Sequence, residues 1–167
     1  MLIDKKIPAC ILALAIFFSC TKQKGFGTKS DAVASTAVLV QNATDYRPDP
    51  TVTTSLSGGG NIQIVLSIPS GSKRTIKEIT KVATSTSYTK IQSASTTGFY
   101  IKDPIPGNGT SVTFTTTLAE YFTRNPVSTS NPAAKADTEL ALRFYFLITL
   151  DDNTVLVARP VRILVLA

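Results

Sequence analysis

Apolar residues recur at every second position along much of this chain. Ile62, Ile64, Leu66 and Ile68 alternate with mostly polar neighbours, the period-two pattern of a strand with one buried face. Val112 and Phe114 repeat it within residues 111–117. The longest instance comes late: Leu140, Leu142, Phe144, Phe146, Ile148 and Leu150 share one parity, against Ala141, Arg143, Tyr145, Leu147 and Thr149 on the other. Asp151, Asp152 and Asn153 supply a turn, and residues 154–166 run back beside this strand. Pro160 has no N–H to give to a ladder, so it belongs at a bulge or an edge. Ile76, Ile79 and Val82 are spaced by three, as in a helix. The β-branched Thr75, Thr80, Val82 and Thr84 favour a bulged strand instead. Residues 36–40 and 98–101 are shorter strand candidates, and residues 88–91 read as a hairpin return. Leu118 to Phe122 abandons alternation for one helical turn.

Residues 46–50 and 104–109 are turns rich in Pro and Gly, and residues 125–134 form a long polar loop. About seven short strands with no helix-length crossover between them predict an all-β, antiparallel β-sandwich over residues 35–167. The expected register puts Leu142, Phe144, Phe146 and Ile148 on one buried face, with Arg143 and Tyr145 on the other.

The N-terminus follows different rules. Lys5 and Lys6 precede an apolar run from Ile7 to Phe18, which ends in Ser19-Cys20 and a polar stretch. That run is too short for the roughly 18–20 residues a membrane-spanning helix needs, and it has the layout of a secretory signal. Cys10 lies within it and leaves with it, so Cys20 becomes the only thiol of the processed chain and a disulfide-built fold is excluded. Residues 20–34 are small, polar and basic, the composition of a flexible tether that holds a domain ~20 Å from its anchor.

The stretch Phe17-Phe18-Ser19-Cys20 resembles a bacterial lipoprotein signal. The resemblance implies cleavage after residue 19 and acylation of Cys20, with diacylglycerol and palmitate-type chains. The strand rhythm from Ile62 to Leu166 resembles immunoglobulin-like and fibronectin-III-like domains, and the two features together resemble small lipoproteins of the Bacteroidota. Some of those are accessory proteins of outer-membrane nutrient receptors. Thr21-Lys22-Gln23-Lys24 lacks both an acidic inner-membrane retention signal and an acidic surface-export tag. The implied location is the cell envelope, at the outer membrane and on its periplasmic face.

Charge and chemistry narrow the function mainly by exclusion. The formal charge of +6 falls by one when Asp4, Lys5 and Lys6 leave with the signal. Lys73, Arg74, Lys77 and Lys81 form one basic cluster, suited to lipid headgroups or acidic glycan if it is more than a solvated face. An exported chain has no nucleic acid to meet. Histidine is absent, which removes the commonest general base and zinc ligand. No catalytic residue, metal site or cofactor is predicted, and an enzyme would have to work with carboxylates alone.

Asp151 and Asp152 are turn formers. Gly58-Gly59-Gly60 leads into a strand rather than from a strand into a helix, so it is no phosphate loop. Asn42-Ala43-Thr44 and Asn108-Gly109-Thr110 match the N-glycosylation pattern, which carries no weight behind a bacterial signal.

Aromatic rings remain as candidate ligand contacts: Tyr88, Tyr100 and Tyr145, with Phe99 alongside. The competing expectation for each is ordinary packing. Tyr121 in the helical turn is expected to reach a backbone group, as a corner tyrosine does. The function expected is a membrane-anchored, non-catalytic envelope lipoprotein whose domain binds a protein partner or a glycan. The alternative is a surface-filament or fimbrial subunit that donates its apolar last strand, residues 161–167, to a neighbour.

Overall fold

The computed structural model describes residues 36–101 and 103–167. All belong to one unit, Ser35–Ala167. The expected signal (residues 1–19) and the expected acylated cysteine and tether (residues 20–34) lie outside the described residues. The described chain is all-β, with ten short strands in three sheets and two short α-helices.

In the first sheet, strand β1 (Leu39–Val40) flanks β3 (Asn61–Ser67), which pairs antiparallel with β6 (Ser111–Thr117). Its register sets Ile64 against Phe114 and Leu66 against Val112. Ile62, Ile64, Leu66, Val112 and Phe114 are all buried, as their alternation requires. Beyond β1 the Asn42 side chain continues the ladder. It donates from Nδ2 to the Gln63 carbonyl (2.7 Å) and accepts the Val65 N–H (2.9 Å).

The second sheet centres on β4 (Ile76–Ser85) and β8 (Arg143–Leu150), flanked by β5 (Ile105–Pro106) and β9 (Val155–Val157). Two register shifts interrupt the β4–β8 ladder, between Ile76 and Glu78 and between Ile79 and Lys81. Each inserts one residue. A spacing of three therefore still brings Ile76, Ile79 and Val82 to the core, opposite Leu150, Ile148 and Phe146.

Helix α2 (Leu118–Arg124) follows β6 directly. The Thr117 hydroxyl caps it by accepting the Glu120 N–H (3.1 Å). Tyr121 turns fully inward, and its hydroxyl accepts the Leu142 N–H and donates to Asn131 Oδ1, both at 3.1 Å. The predicted backbone contact is present, made with chain downstream. Asn131 in turn donates to the Asn125 carbonyl (2.7 Å), so the polar loop is pinned by a buried amide.

The last hairpin turns at Asp151–Asn153, with Asn153 in the left-handed region (φ 65°). The return is not one strand. It pairs with β8 as β9, breaks at Arg159-Pro160, and touches β8 once more through Phe144 and Val161. It then crosses into the third sheet as β10 (Arg162–Leu166). Pro160 occupies the break, where no ladder needs its N–H. β10 lies between β7 (Thr138–Glu139) on one side and β2 (Thr51–Ser55) on the other. The β2 pairing is parallel, so the expectation of a wholly antiparallel sheet is corrected.

Three local expectations also change. Residues 88–91 hold helix α1 (Thr89–Gln92) rather than a hairpin return. Residues 98–101 form no strand: Gly98 turns the chain at φ +79°, and only the Tyr100 N–H reaches β4, at the Val82 carbonyl. Of residues 36–40, only Leu39 and Val40 pair.

Side chains from all three sheets meet in one core, and a smaller cluster of Ala83, Ile91 and Tyr145 lies apart from it. Phe144, Phe146 and Ile148 point into the main core and Tyr145 into the small one, so the parity assigned to β8 holds. Removing a buried Phe ring typically costs about 3–5 kcal/mol. Phe144→Ala should lose that much in chemical denaturation. Tyr145→Ala, which empties a cluster walled by the half-buried Phe99 and Leu147, should stay within about 3 kcal/mol. The reverse ranking would place β8 one residue out of register.

Candidate functional site

Residues 86–101 leave the end of β4, cross the outer face of the β4–β8 pair and return to β4. Ile91 is the apolar residue of α1 that anchors this crossing, buried against Ala83 and Tyr145 with Phe99 and Leu147 around it. Short hydroxyl turns shape the chain beyond α1: Ser93 Oγ accepts the Ser95 N–H (3.1 Å), and Ser95 Oγ accepts the Thr97 N–H (3.2 Å). Gly98 reverses the chain, and Phe99 and Tyr100 then fall on opposite sides of it. Tyr100 enters the main core, edge-on to Phe114 and Phe144. Phe99 stays outside, half-buried.

Three hollows, of about 290, 310 and 210 Å³, share Phe99 as a wall. Their polar rim comes from Thr80, Thr96 and Thr97, and their cations are Lys81, Lys90 and Arg124. None of these lining residues is acidic. Lys81 Nζ sits 4.6 Å from the Phe99 ring centre and donates to the carbonyls of Ser93 (3.1 Å) and Ser95 (3.0 Å). The ammonium thus fastens the loop over the ring it covers.

Arg124 lies 4.8 Å over the Tyr100 ring, and its Nε and Nη2 both stand 3.0 Å from Glu120 Oε1. Glu120 Oε2 accepts the Thr116 hydroxyl proton (3.0 Å), leaving Thr116 Oγ1 to accept from the Tyr100 hydroxyl (2.8 Å). One chain of polar contacts therefore runs from the core to the wall of the cleft.

The rings expected to face a ligand are placed differently. Tyr88 is exposed and meets Tyr145 edge-on, 5.0 Å between centres. Tyr145 is on the predicted face, but that face is covered by α1 and the ring is 2% exposed. Tyr100 is 3% exposed and shows the cleft only a part of its surface. The structure brings Tyr88 and Tyr145 together and leaves Tyr100 on the opposite side of the sheet. Open rings at Tyr100 and Tyr145 are thus corrected to packed ones. Phe99 is the half-buried aromatic of the cleft, and the packed Tyr100 lends part of its ring to the same hollow.

The basic cluster is corrected too. Arg74 pairs with Asp151 (3.0 Å) and with Asp152, and Lys77 donates to Asn153 Oδ1 (3.2 Å), so both serve the hairpin turn. Only Lys81 of the four belongs to the cleft. A second cationic locus is equally committed. Asp49 holds Arg143 (2.9 Å) and Arg159 (3.5 Å), Glu139 holds Arg162 (2.8 Å), and Asp45 holds Arg47 (3.2 Å). Arg159 and Arg162 also donate to carbonyls of the β1–β2 turn, at Pro48 and at Arg47 and Asp49. This network is a latch between that turn and the final hairpin.

Nothing in the chain's pattern marks Lys90 and Arg124 as neighbours, since they lie on separate elements far apart in sequence. The one local signal is the Thr117-x-x-Glu120 cap, which orients the helix ending at Arg124. Comparison of the chain with protein-family models, characterised proteins and solved structures returned no match.

Burial, helped by the nearby Glu120 carboxylate, pushes the Tyr100 phenol up to about 12, and burial also raises Tyr121 and Tyr145. A phenol that ionises near 10 when unfolded binds its proton more tightly in the folded chain. Its stabilising contribution is complete below pH 10 and is lost as pH rises towards about 12. Stability followed by denaturant midpoint should therefore fall over that window. Tyr100→Phe, which has no proton to lose there, should show a shallower decline.

Proposed function

We propose that this chain is a lipid-anchored protein of the cell envelope. Its domain is an immunoglobulin-like β-sandwich that works as a non-catalytic binding module for a glycan or a protein partner. The observation that carries the binding role is the Phe99 cleft. A half-buried ring, three cationic side chains and a hydroxyl rim converge there on open volume, a polar-rimmed concavity of the kind that holds ligands. The described lining residues include no carboxylate and no histidine, and Glu120, the nearby carboxylate, is tied to Arg124 and Thr116.

Facing layers support the sandwich reading, since β3 and β6 share a core with β4, β8 and β10. So does a return strand that changes sheets midway. The anchor rests on the resemblance of Phe17 to Cys20 to a lipoprotein signal, and the outer-membrane address on the absence of acid after Cys20. Filament assembly by strand donation is the weaker reading. β10 already bonds to β2 along all five residues and to β7 at two, and it would have to leave both.

Cell fractionation tests the anchor. Cys20→Ser should move the protein from the membrane to the soluble fraction with its denaturation midpoint unchanged. A Cys20→Ser protein that stays on the membrane would show that this thiol is not the attachment point. One acyl chain binds only marginally, so stable attachment needs more than one. Capture from detergent-solubilised envelopes and from a glycan array tests the binding role, and recovery of free protein alone in both would sink it.

A further inference from the structure

We infer that the Phe99 cleft takes an acidic saccharide, with its carboxylate or sulfate between Lys90 and Arg124 and its ring along the edge of Phe99. The inference rests on the binding role proposed above and names the ligand class. Lys90 and Arg124 line the same hollow of about 290 Å³ with Gly98, Phe99 and Tyr100. That volume lies at the small end of the roughly 300–1,000 Å³ of small-molecule sites, a scale suited to one or two sugar units.

Among the described residues most cations are already bonded within the fold; Lys73, Lys90 and Lys135 are not, and of these Lys90 lines the hollow. Arg74, Lys77, Lys81, Arg143, Arg159 and Arg162 are each bonded to a carboxylate, an amide or carbonyl oxygens of the fold. Lys90 has no such partner among the described residues. Arg124 commits Nε and Nη2 to a single Glu120 oxygen, and its Nη1 has no bonded partner among them. An incoming anion at this hollow would therefore displace no existing bond. It would complete a pair of cationic donors whose local balance is positive, because Glu120 offsets only one of the two.

The rest of the wall suits a sugar better than a peptide. Thr96 and Thr97 present exposed hydroxyls beside the ring. Phe99 offers apolar surface for C–H groups, and its ring is in contact with the tethered Lys81 ammonium. Gly98 has nothing within 4 Å of where a Cβ would project, so the mouth of the hollow stays open. A peptide anion would need backbone partners for its flanking amides, and none of the residues lining this hollow belongs to a strand that could supply them.

The test uses the full-length chain in detergent, titrated calorimetrically with three probes. These are an oligogalacturonate, its neutral methyl ester and a sulfated heparin oligosaccharide. One acidic probe should bind at least tenfold more tightly than the ester; binding of the oligogalacturonate shows that a carboxylate suffices, and binding of the heparin oligosaccharide alone shows that sulfate is needed. Raising the salt concentration should weaken that binding, since exposed charges are screened over roughly 8 Å at physiological ionic strength.

Lys90→Glu, at an exposed position, should weaken binding at least tenfold with the unfolding midpoint unchanged. Arg124→Gln should weaken it too. Lys73→Glu, an exposed change outside the cleft, should leave it intact. Equal binding of acid and ester, or an unaffected Lys90→Glu, would overturn the inference. So would an equal loss in Lys73→Glu, because the attraction would then be diffuse. If no saccharide binds while an envelope protein is captured, the ligand class is wrong and the binding role stands. If neither is captured, both fail.

Discussion

Phe144 is where the three sheets are held to one another. Its side chain meets Phe114 of β6 at 5.6 Å, Tyr121 of α2 at 6.0 Å, Tyr100 of the returning loop at 5.4 Å and Phe146 of its own strand at 6.5 Å. Its backbone exchanges both hydrogen bonds with Val161 (3.0 and 2.8 Å), at the point where the final strand passes from β8 to β2. One residue thus fixes the spacing of the layers and the crossing of the chain between them. Aromatic pairs add about 0.5–1.5 kcal/mol each beyond burial of their area. The described domain has no cysteine, so no cross-link can stand in for that packing.

Regular pairing is interrupted within β4 and again on the return from β9 to β10, and each interruption gives up ladder bonds for geometry. In β4, two extra residues bend the strand while Ile76, Ile79 and Val82 stay inward. At Arg159-Pro160 the ladder stops, and β10 turns towards β2. The β1–β2 turn must come to meet it, and the Asp49, Arg143, Arg159 and Arg162 network draws it there. Most of those pairs are half-exposed and individually weak. The carbonyls that Arg159 and Arg162 bind make the latch specific, since they fix the backbone of the turn itself.

Legibility followed burial. Strands β3, β6 and β8 could be read from their alternation because one face of each packs on the core, and a period of two then has a physical cause. Pro160 was legible because a missing N–H acts locally. β2 was not: Thr51-Val52-Thr53-Thr54-Ser55 has one large apolar residue, and its place comes from a parallel partner more than a hundred residues away. β7 is two residues long and exists only because β10 lies beside it. At Tyr145, parity told which side of the sheet the ring takes. It did not tell that Ile91, in a four-residue helix with no periodicity of its own, would cover that side. Tyr100 failed for a related reason. The residues around it form no strand, so no parity rule applied.

The cleft shows the same limit from the functional side. Its cations come from β4, α1 and α2, and their convergence is a product of tertiary structure alone. Net charge and the run from Lys73 to Lys81 pointed to basic surface, but a charge is available to a ligand only where the fold has not already used it. Arg74 and Lys77 are used at the hairpin turn, and Arg143, Arg159 and Arg162 are used in the latch. The same polar chain that carries Tyr100 to Thr116, Glu120 and Arg124 makes one wall of the cleft rigid, because its first member is packed against Phe144. Rigidity at that wall lowers the ordering cost a ligand must meet. The opposite wall, Lys90 on α1, is joined to the fold through Ile91. The geometry between the two cations therefore depends on the packing of both aromatic clusters, on either face of the β4–β8 pair.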